Sequence, residues 1–257
     1  IDASNNISTP ITHVFALPHL HKNAHAVGVL AMSLVSYTLD DVVLSATVAG
    51  SEIALSPDER TMRELHGVGP RAHFVRIELD KKRIVTEYAG DVAQIGMGIC
   101  RAADVGVRVV WTTTNQSSWW MHAWSDNSED TDGPDPNLLR ELRTTLLRLH
   151  VGGVPGIVSA EVQQRRHIRF DPAGGVIRGD EYMVVTSGID LKQLLIVPGV
   201  DARRSFSNDI HEMACVFGIE AGEQALHHEM AKVLMSEGSY INYRHRALLC
   251  ATITQHG

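Results

Sequence analysis

The sequence predicts an α+β fold, in which helices are mixed with small antiparallel sheets. Short β-branched runs alternate irregularly with segments of helical apolar spacing, and no repeat of fixed period occurs. The chain has 257 residues, of which 44% are hydrophobic and 21% charged. This is ordinary globular usage, and the length suffices for one large domain or two modest ones.

In the first half, strands are predicted where β-branched and aromatic residues cluster, and the last two are expected to form a hairpin. These strands are residues 11–17, 42–55, 72–79, 105–111 and 118–124. Helices are predicted over 21–37, over 88–103 despite three glycines, and from Pro136, capped by Asp135, to Gly152-Gly153. The core stripe of that last helix is Leu138, Leu142, Leu146 and Leu149. The acidic segment 125–135 is expected to be a solvated loop.

The second half begins after a domain boundary near residue 151. Residues 156–170 and 181–187 are predicted to form an antiparallel pair across the turn-rich segment 171–180. Three helices should follow, over 209–217 with Asn208 as N-cap and Gly218 at the end, then 220–235 and 244–254. The first forty residues are expected to return and pack on this half.

The charge balance restricts any contact with nucleic acid to local patches. Lys and Arg total 23 against 30 Asp and Glu, which gives a formal net charge of −7. Broad electrostatic binding to phosphates needs a basic face, so a DNA role requires a local patch. The candidate patches are RRHIR (165–169), ARR (202–204) and RHR (244–246). Solvated or salt-bridging arginines are the alternative interpretation of each patch.

The cysteines and the hydropathy of the sequence indicate the kind of cellular compartment in which the protein is expected. Cys100, Cys215 and Cys250 are far apart and odd in number, so they predict a reducing compartment rather than a disulfide framework. No apolar run is long enough to span a bilayer, and no membrane role is expected. The sequence begins at Ile1 without Met, and we expect it to be a segment of a longer or processed chain.

Two patterns that contain histidine raise the hypothesis of a metal-dependent hydrolase, but each lacks residues that such a site needs. The four histidines His13, His19, His21 and His25 have no carboxylate nearby before Asp40, so capping or solvated histidines are favoured. HEMAC (211–215) resembles the start of HExxH, but Cys215 replaces the second His and is expected to be a buried apolar residue. A protease is therefore rejected, and the sequence offers no defensible catalytic set.

The side chains near two junctions are the best binding candidates. Arg203 and Arg204 precede Asn208 at a turn-to-helix junction. Arg244 stands beside Tyr243 and close to Tyr240, and tyrosine rings can hold a guanidinium by stacking. A surface built from these residues is able to track a phosphate backbone on an acidic body.

Three segments in this order resemble the largest subunit of eukaryotic RNA polymerase II. GVDARRSFSNDI (199–210), GIEA (218–221) and GSYINYRH (238–245) match the runs Asp-Pro-x-Arg-Thr-x-Ser-Asn-Asp-Ile, Gly-Ile-Glu-Ala and Gly-Ser-Tyr-Val-Asn-Tyr-Arg-His of that family. NISTPITHV (6–14) is similar to the Asn-Ile-x-Thr-Pro stretch that follows the trigger loop in the family. The departures are Ala202, where the family has Pro, and Ala251, where it often has Asp.

The resemblance implies a cleft and jaw segment of a DNA-directed RNA polymerase, a nucleotidyltransferase of the nucleus. Residues 1–42 and 151–257 would correspond to the cleft region and residues 43–150 to the jaw. The Asn-Ala-Asp-Phe-Asp-Gly-Asp motif of the catalytic centre is absent from the sequence. The resemblance therefore implies no catalytic residue, metal ligand or cofactor in this segment, with magnesium and zinc elsewhere in the full subunit.

The resemblance also implies partners and a set of site residues. The expected partners are downstream duplex DNA, the second-largest, fifth and ninth polymerase subunits, and the transcript-cleavage elongation factor. The apolar helix 244–254 is expected to pack on polymerase elements outside this chain. The candidates for the DNA channel or its structural support are Arg203, Arg204, Asn208, Tyr243, Arg244 and His245. The alternative hypothesis is a stand-alone, non-catalytic interaction module that shares the fold.

Overall fold

The computed structural model describes residues 9–49, 59–61, 74–102, 107–112, 118–125, 136–170, 175–236, 238 and 240–256. Its elements are β1 (Ile11–Phe15), α1 (Ala24–Leu34), β2 (Tyr37–Thr38), α2 (Leu39–Val42), β3 (Val43–Ala49), β4 (Phe74–Leu79), α3 (Lys81–Glu87), α4 (Val92–Ala102), β5 (Val107–Trp111), β6 (Trp119–Ser125), α5 (Pro136–Leu147), β7 (His150–Gly152), β8 (Ile157–Phe170), β9 (Val176–Gly188), α6 (Leu191–Leu194), β10 (Phe206–Ser207), α7 (Ile210–Phe217), α8 (Ile219–Ser236) and α9 (Tyr243–Thr254). The α+β class is confirmed by these helices and by small antiparallel sheets.

The chain divides into two compact units. The first unit combines Ile1–Val35 with Val154–Gly257, and the second is Ser36–Gly153. The sequence placed the boundaries at 42/43 and 150/151, whereas β2 and β7 pair with each other inside the second unit. The assignment of cleft and jaw to these units stays a prediction.

A four-stranded antiparallel sheet with the order β10-β1-β9-β8 organises the first unit. Five residues of β1 pair with β9, from Ile11 opposite Ser187 to Phe15 opposite Met183. The same strand pairs on its other side with β10, where Thr12 lies opposite Ser207. The prediction that the first forty residues return to pack on the second half is therefore confirmed for residues 11–15, whereas residues 36–40 belong to the second unit.

One face of this sheet packs against α1. Asn23 caps the helix, because its side chain accepts hydrogen bonds from the backbone N–H groups of His25 and Ala26. Successive residues of a strand point to opposite faces, so Val14 and Val184 face the helix while Phe15 and Met183 face away from it. The buried residues of this core include Val14, Val27, Leu30, Ala31, Leu34, Ile157 and Val184.

The opposite face of the sheet carries α7 and α8, and here the predicted cap was wrong by one residue. Asp209, not Asn208, caps α7 by accepting from the backbone N–H groups of His211 and Glu212. The side chain of Asn208 instead forms hydrogen bonds at the beginning of β1. Its Oδ1 accepts from Ile11 N at 2.9 Å, and its Nδ2 donates to Thr9 O at 2.9 Å. Gly218 ends α7, as predicted, with a φ of 99° that favours glycine.

A second antiparallel sheet with the order β3-β4-β6-β5 organises the second unit. The predicted hairpin of β5 and β6 is confirmed by their register, in which Val109 lies opposite Ala123. Residues 50–55 of the predicted strand 42–55 and residues 126–135 of the predicted acidic loop lie outside the described part of the chain. The largest fully buried side chains of this core are Leu39, Ile77, Ile84, Ile95, Ile99, Trp119, Met121, Leu139 and Leu146.

Two glycines of α4 lower the helix propensity of this segment, but they allow it to pack closely against its neighbours. A Cβ on Gly96 would lie 2.5 Å from the ring of Trp111, and a Cβ on Gly98 would lie 2.9 Å from the carbonyl oxygen of Val151. Both distances are shorter than van der Waals contact. The helix therefore lies closer to β5 and β7 than it could if these two positions carried a residue with a Cβ atom.

Two further boundaries differ from prediction, and one helix was not predicted. Helix α5 ends at Leu147 rather than at Gly152-Gly153, because residues 150–152 form β7 and pair with β2. Residues 176–180, predicted as part of a turn, extend β9. Helix α3 was missed, although Asp80 caps it and Ile84 is fully buried.

The predicted leucine stripe of α5 is confirmed in part. Leu142, Leu146 and Leu149 pack into the core of the second unit, and so does Leu139, which was not in the stripe. The predicted Asp135 cap and the side chain of Leu138 lie outside the described residues.

We expect the substitution Gly96→Ala to destabilise the second unit by about 1–3 kcal/mol, because the added methyl group meets the Trp111 ring. All four tryptophans of the chain, Trp111, Trp119, Trp120 and Trp124, belong to this unit, so their fluorescence during urea unfolding measures its stability. The control is Gln94→Ala on the exposed side of the same helix, for which we expect a change within about 0.5 kcal/mol. Equal midpoints for the two variants would contradict the packing described.

Candidate nucleic-acid interface

The hairpin of β8 and β9 extends well beyond the rest of its sheet. Strand β1 ends at Phe15, which lies opposite Met183, whereas β9 begins at Val176. At roughly 3.3 Å per residue, the part of the hairpin that extends past β1 is about 20 Å long. The RRHIR segment predicted as a basic patch lies on this extension, with Arg165 opposite Glu181 and Arg166 opposite Asp180.

At the base of the extension, Arg204 is anchored by a carboxylate and an aromatic ring. Its Nη2 lies 2.8 Å from both carboxylate oxygens of Glu181, whose side chain is almost fully buried. The guanidinium carbon of Arg204 stands 4.4 Å from the centre of the Phe15 ring. A buried carboxylate needs a partner of opposite charge, and a ring face attracts a cation, so both contacts hold Arg204 in place.

The turn that carries Arg204 is itself tied to β1. The backbone N–H of Asp201 donates to the carbonyl oxygen of Phe15 at 2.7 Å, and the N–H of Arg204 donates to the carbonyl of Asp201 at 3.2 Å. The hydroxyl of Ser205 accepts from Phe15 N at 3.0 Å. These bonds fix the height of Arg204 above the sheet, where its charge is compensated by Glu181.

Arg165 adds a second cation on the same face. Its guanidinium carbon lies 5.6 Å from the centre of the Phe15 ring, on a strand where its side chain is exposed. His167, two residues further along, has its Nδ1 3.7 Å from Glu181 Oε1. A surface pocket of about 440 Å³ is lined here by Phe15, Arg165, Arg166, His167, Ile168, Glu181, Arg204 and Phe206. Three arginines and one carboxylate line it, which leaves the pocket net positive.

Toward its tip, the hairpin carries two further arginines. Arg166 and Arg178 line a second pocket of about 440 Å³ with His167, Ile168, Gly179 and Asp180. Arg166 and Arg178 are both exposed, and register places them on the face opposite to Arg165. The extension is therefore basic on both faces, with solvent access to the cations.

The other candidates of the first predicted cluster have mainly structural contacts. Arg203 is exposed, and its backbone N–H donates to Asp201 Oδ1 at 3.1 Å. Asn208 is half-buried, and its side chain joins the beginning of β1 to the start of α7. Of the three residues, Arg204 alone lines the basic pocket, and there its charge is paired.

The second predicted cluster lies at the start of α9. Asn242 caps this helix by accepting from the N–H of Arg244 at 3.1 Å, and the N–H of His245 donates to the Asn242 carbonyl at 3.1 Å. The predicted stacking of Arg244 on tyrosine is wrong within the described residues, since Tyr240 is 91% exposed and the Tyr243 ring contacts His227 at 4.9 Å instead. Tyr243, Arg244 and His245 are exposed, so they are accessible to a partner.

The histidine patterns do not form a metal site among the residues that the structure describes. The ring of His13 packs 4.8 Å from that of Phe206, and the carbonyl of His21 accepts from Tyr182 N at 2.8 Å. In the HEMAC segment, Cys215 is exposed rather than buried as predicted.

Glu181 and Phe15 are the site residues that sequence reasoning missed. The predicted turn over 171–180 put Glu181 at the start of its strand, opposite the end of β8 rather than opposite Arg165. A tighter turn over 171–175 would have paired the RRHIR segment with residues 177–181. Phe15 carried no signal of its own, because its role depends on β1 pairing with a strand that lies 168 residues away (Phe15 opposite Met183).

Comparisons with known proteins place this chain among polymerase subunits. The family described as RNA polymerase Rpb1, domain 5, matches residues 1–257. The DNA-directed RNA polymerase II subunits RPB1-A and RPB1-B of Trypanosoma brucei brucei are each 30% identical to it over 191 residues. That match covers 71% of this chain and 11% of each relative, so the chain spans about a ninth of their length.

Among the described residues, no helix is both long enough and apolar enough to cross a bilayer.

We expect Arg204→Ala to lower the free energy of unfolding of the first unit by about 1–3 kcal/mol, because it leaves the buried Glu181 without its cation. The loss is smaller than for a fully buried pair, since the Arg204 side chain is 34% exposed. Urea unfolding followed by far-ultraviolet circular dichroism measures the change. Arg203→Ala is the matched control, with an expected change within about 0.5 kcal/mol. Adding Glu181→Gln to Arg204→Ala should restore part of the loss, and no difference between the Arg203 and Arg204 variants would contradict the role of the ion pair.

Proposed function

This chain belongs to the RNA polymerase Rpb1 domain 5 family, and we propose that it works in transcription as part of the largest subunit of a DNA-directed RNA polymerase. Within that subunit it forms one wall of the channel that admits downstream duplex DNA. The cleft is assigned to the first unit and the jaw to the second. A whole-chain family match and the basic hairpin extension support this proposal.

The hairpin extension is the observation on which the DNA contact rests. It presents Arg165, Arg166 and Arg178 on a two-stranded ribbon, while the chain as a whole has a net charge of −7. Exposed guanidinium groups bind phosphate oxygens, and an acidic body repels DNA elsewhere. The result is a protein that contacts the phosphate backbone along one side without reading sequence.

The proposed role is structural rather than catalytic. The sequence lacks the aspartate motif of the polymerase centre, and the described residues hold no cluster suited to a metal ion. Nucleotidyl transfer, with its magnesium, therefore takes place on other parts of the full subunit, and zinc is likewise bound elsewhere. The location that follows from this role is the nucleus.

The partners proposed for this segment are the second-largest, fifth and ninth polymerase subunits and the transcript-cleavage elongation factor. Support comes from apolar side chains that α8 and α9 leave exposed. Large exposed apolar surfaces mark sites of association with other chains. The exposed residues concerned are Ile219, Val233, Met235, Leu248, Leu249 and Ile253.

We expect the 257-residue chain to bind duplex DNA weakly, without sequence preference and with a steep dependence on salt. The double substitution Arg166→Ala, Arg178→Ala should lower affinity for every duplex alike and reduce the slope of log K against log salt by about 2, since each phosphate contact contributes about 0.9. Fluorescence anisotropy of a labelled 20-base-pair duplex at several salt concentrations measures both quantities.

The matched control removes two arginines from elsewhere on the chain. Arg140→Ala, Arg143→Ala changes exposed positions of α5 and alters the net charge by the same amount. An equal loss of DNA affinity in both double variants would show that only the net charge of the chain matters. It would contradict the assignment of the hairpin as the DNA contact. Arg244→Ala, measured in parallel, tests whether the start of α9 contributes.

The alternative of a stand-alone interaction module draws on the same exposed apolar helices. The two are separated by isolating the native protein that contains this segment from its source cells and identifying its companions by mass spectrometry. Recovery in one very long chain with the second-largest polymerase subunit is the expected result. Recovery as a short free chain with unrelated partners would establish the module instead.

A further inference from the structure

A groove lies between the sheet and α8. It has a volume of about 730 Å³ and is lined on the sheet side by Met183 and Phe206, and on the helix side by Ala221 and Ala225. The two alanines leave space that longer side chains would fill. A volume in this range and apolar walls are typical of sites that bind a small ligand or the side chains of a peptide.

The rim of the groove carries mainly positive charge. Arg165 and Lys232 stand at the rim, and the carboxylate among its described lining residues, Glu229, is paired with Lys232 at 2.6 Å. Burial lowers the pKa of His13, and the nearby cations Lys232 and Arg165 lower it further, against the opposing effect of Glu229. Burial disfavours a charge of either sign, whereas the Lys232 and Arg165 cations that contribute to this shift attract a negatively charged ligand to the same place.

The groove continues into the basic pocket at the base of the hairpin. The two spaces adjoin because Arg165 and Phe206 line both, and the groove and the pocket together are called the trench. Its α8 end is apolar, with Met183, Met213 and Ala225, and its hairpin end is basic. The trench thus changes from apolar to basic along its length.

We propose that this trench binds an acidic peptide segment, with an aromatic or aliphatic anchor side chain in the apolar end and its carboxylates on Arg165 and Lys232. Bidentate carboxylate contacts suit the guanidinium of Arg165, and methionine-rich walls adapt to anchors of different shape. His13 Nδ1 and His227 Nε2 have no hydrogen-bond partner in the described part of the groove, and a bound peptide supplies polar groups for them.

The geometry favours a peptide over nucleic acid in this trench. Duplex DNA offers phosphates but no apolar anchor, so it leaves the α8 end unfilled. A neutral apolar ligand fills that end and leaves the cations of the rim without a partner. A segment with both features matches the whole trench.

The test uses fluorescein-labelled Asp-Glu-Asp-Asp-Ser-Phe-Leu-Leu and the peptide of reversed order, titrated with the 257-residue chain and followed by anisotropy. At least one of them should bind with a Kd on the order of 10–100 µM, as expected for a flexible peptide that loses conformational freedom. Two further probes separate the contributions. In one, serines replace the apolar residues, and in the other, serines replace the acidic residues.

Three substitutions in the chain locate the site. Ala225→Trp fills the groove and should weaken binding at least tenfold, whereas Ala231→Trp, the same substitution at a position of α8 outside the groove, should not. Arg165→Ala and Lys232→Ala should each weaken binding about threefold to fivefold. Circular dichroism of each variant verifies that it is folded.

Equal binding of the probe without apolar residues, or an unchanged Kd for a folded Ala225→Trp variant, would overturn the proposal. Failure of both peptide orders to bind at 1 mM would also overturn it. The two proposals share Arg165, and other residues separate them: Ala225→Trp should leave DNA binding unchanged, and Arg178→Ala, at a residue that lines neither the groove nor the basic pocket, should retain peptide binding. Loss of one activity with the other intact therefore identifies which proposal has failed.

Discussion

The pairing of β1 with β9 is the interaction on which the first unit depends. It joins residues 11–15 to residues 183–187 and, through β10, to residues 206–207, while the second unit is inserted between them. Such long-range pairing is entropically costly until it is stabilised by burial. Here the burial of Val14 and Val184 against α1 provides that stabilisation, and the same strand places Phe15 beneath Arg204.

A second consequence of this pairing is that one arginine has a structural role while the arginines of the hairpin remain exposed. Glu181 is buried in β9 at the base of the extension, two residues beyond Met183, and it pairs with Arg204 there. Arg165, Arg166 and Arg178 lie at or beyond that point and remain exposed. An ion pair therefore anchors the extension at its base, while its other cations stay available for phosphate or carboxylate groups.

Much of the fold followed from local signals, and the errors have identifiable causes. Helices α1 and α8 were predicted because their apolar spacing is a local property of the chain. The cap of α7 was misplaced because Asn208 and Asp209 are both good caps, and the choice depends on the bond of Asn208 to distant Ile11. Likewise Arg204 was identified, but its pairing with Glu181 required a hairpin register that the sequence did not specify.

The central claim is that the hairpin of β8 and β9 faces DNA in the assembled polymerase. Replacing Arg178, on the exposed part of the hairpin, with a photo-crosslinking residue in the native full-length subunit tests it most directly. Irradiation of elongation complexes on a labelled template should join this position to the duplex downstream of the catalytic centre. Crosslinks to protein subunits alone, with none to DNA, would contradict the claim and make the hairpin a contact between subunits.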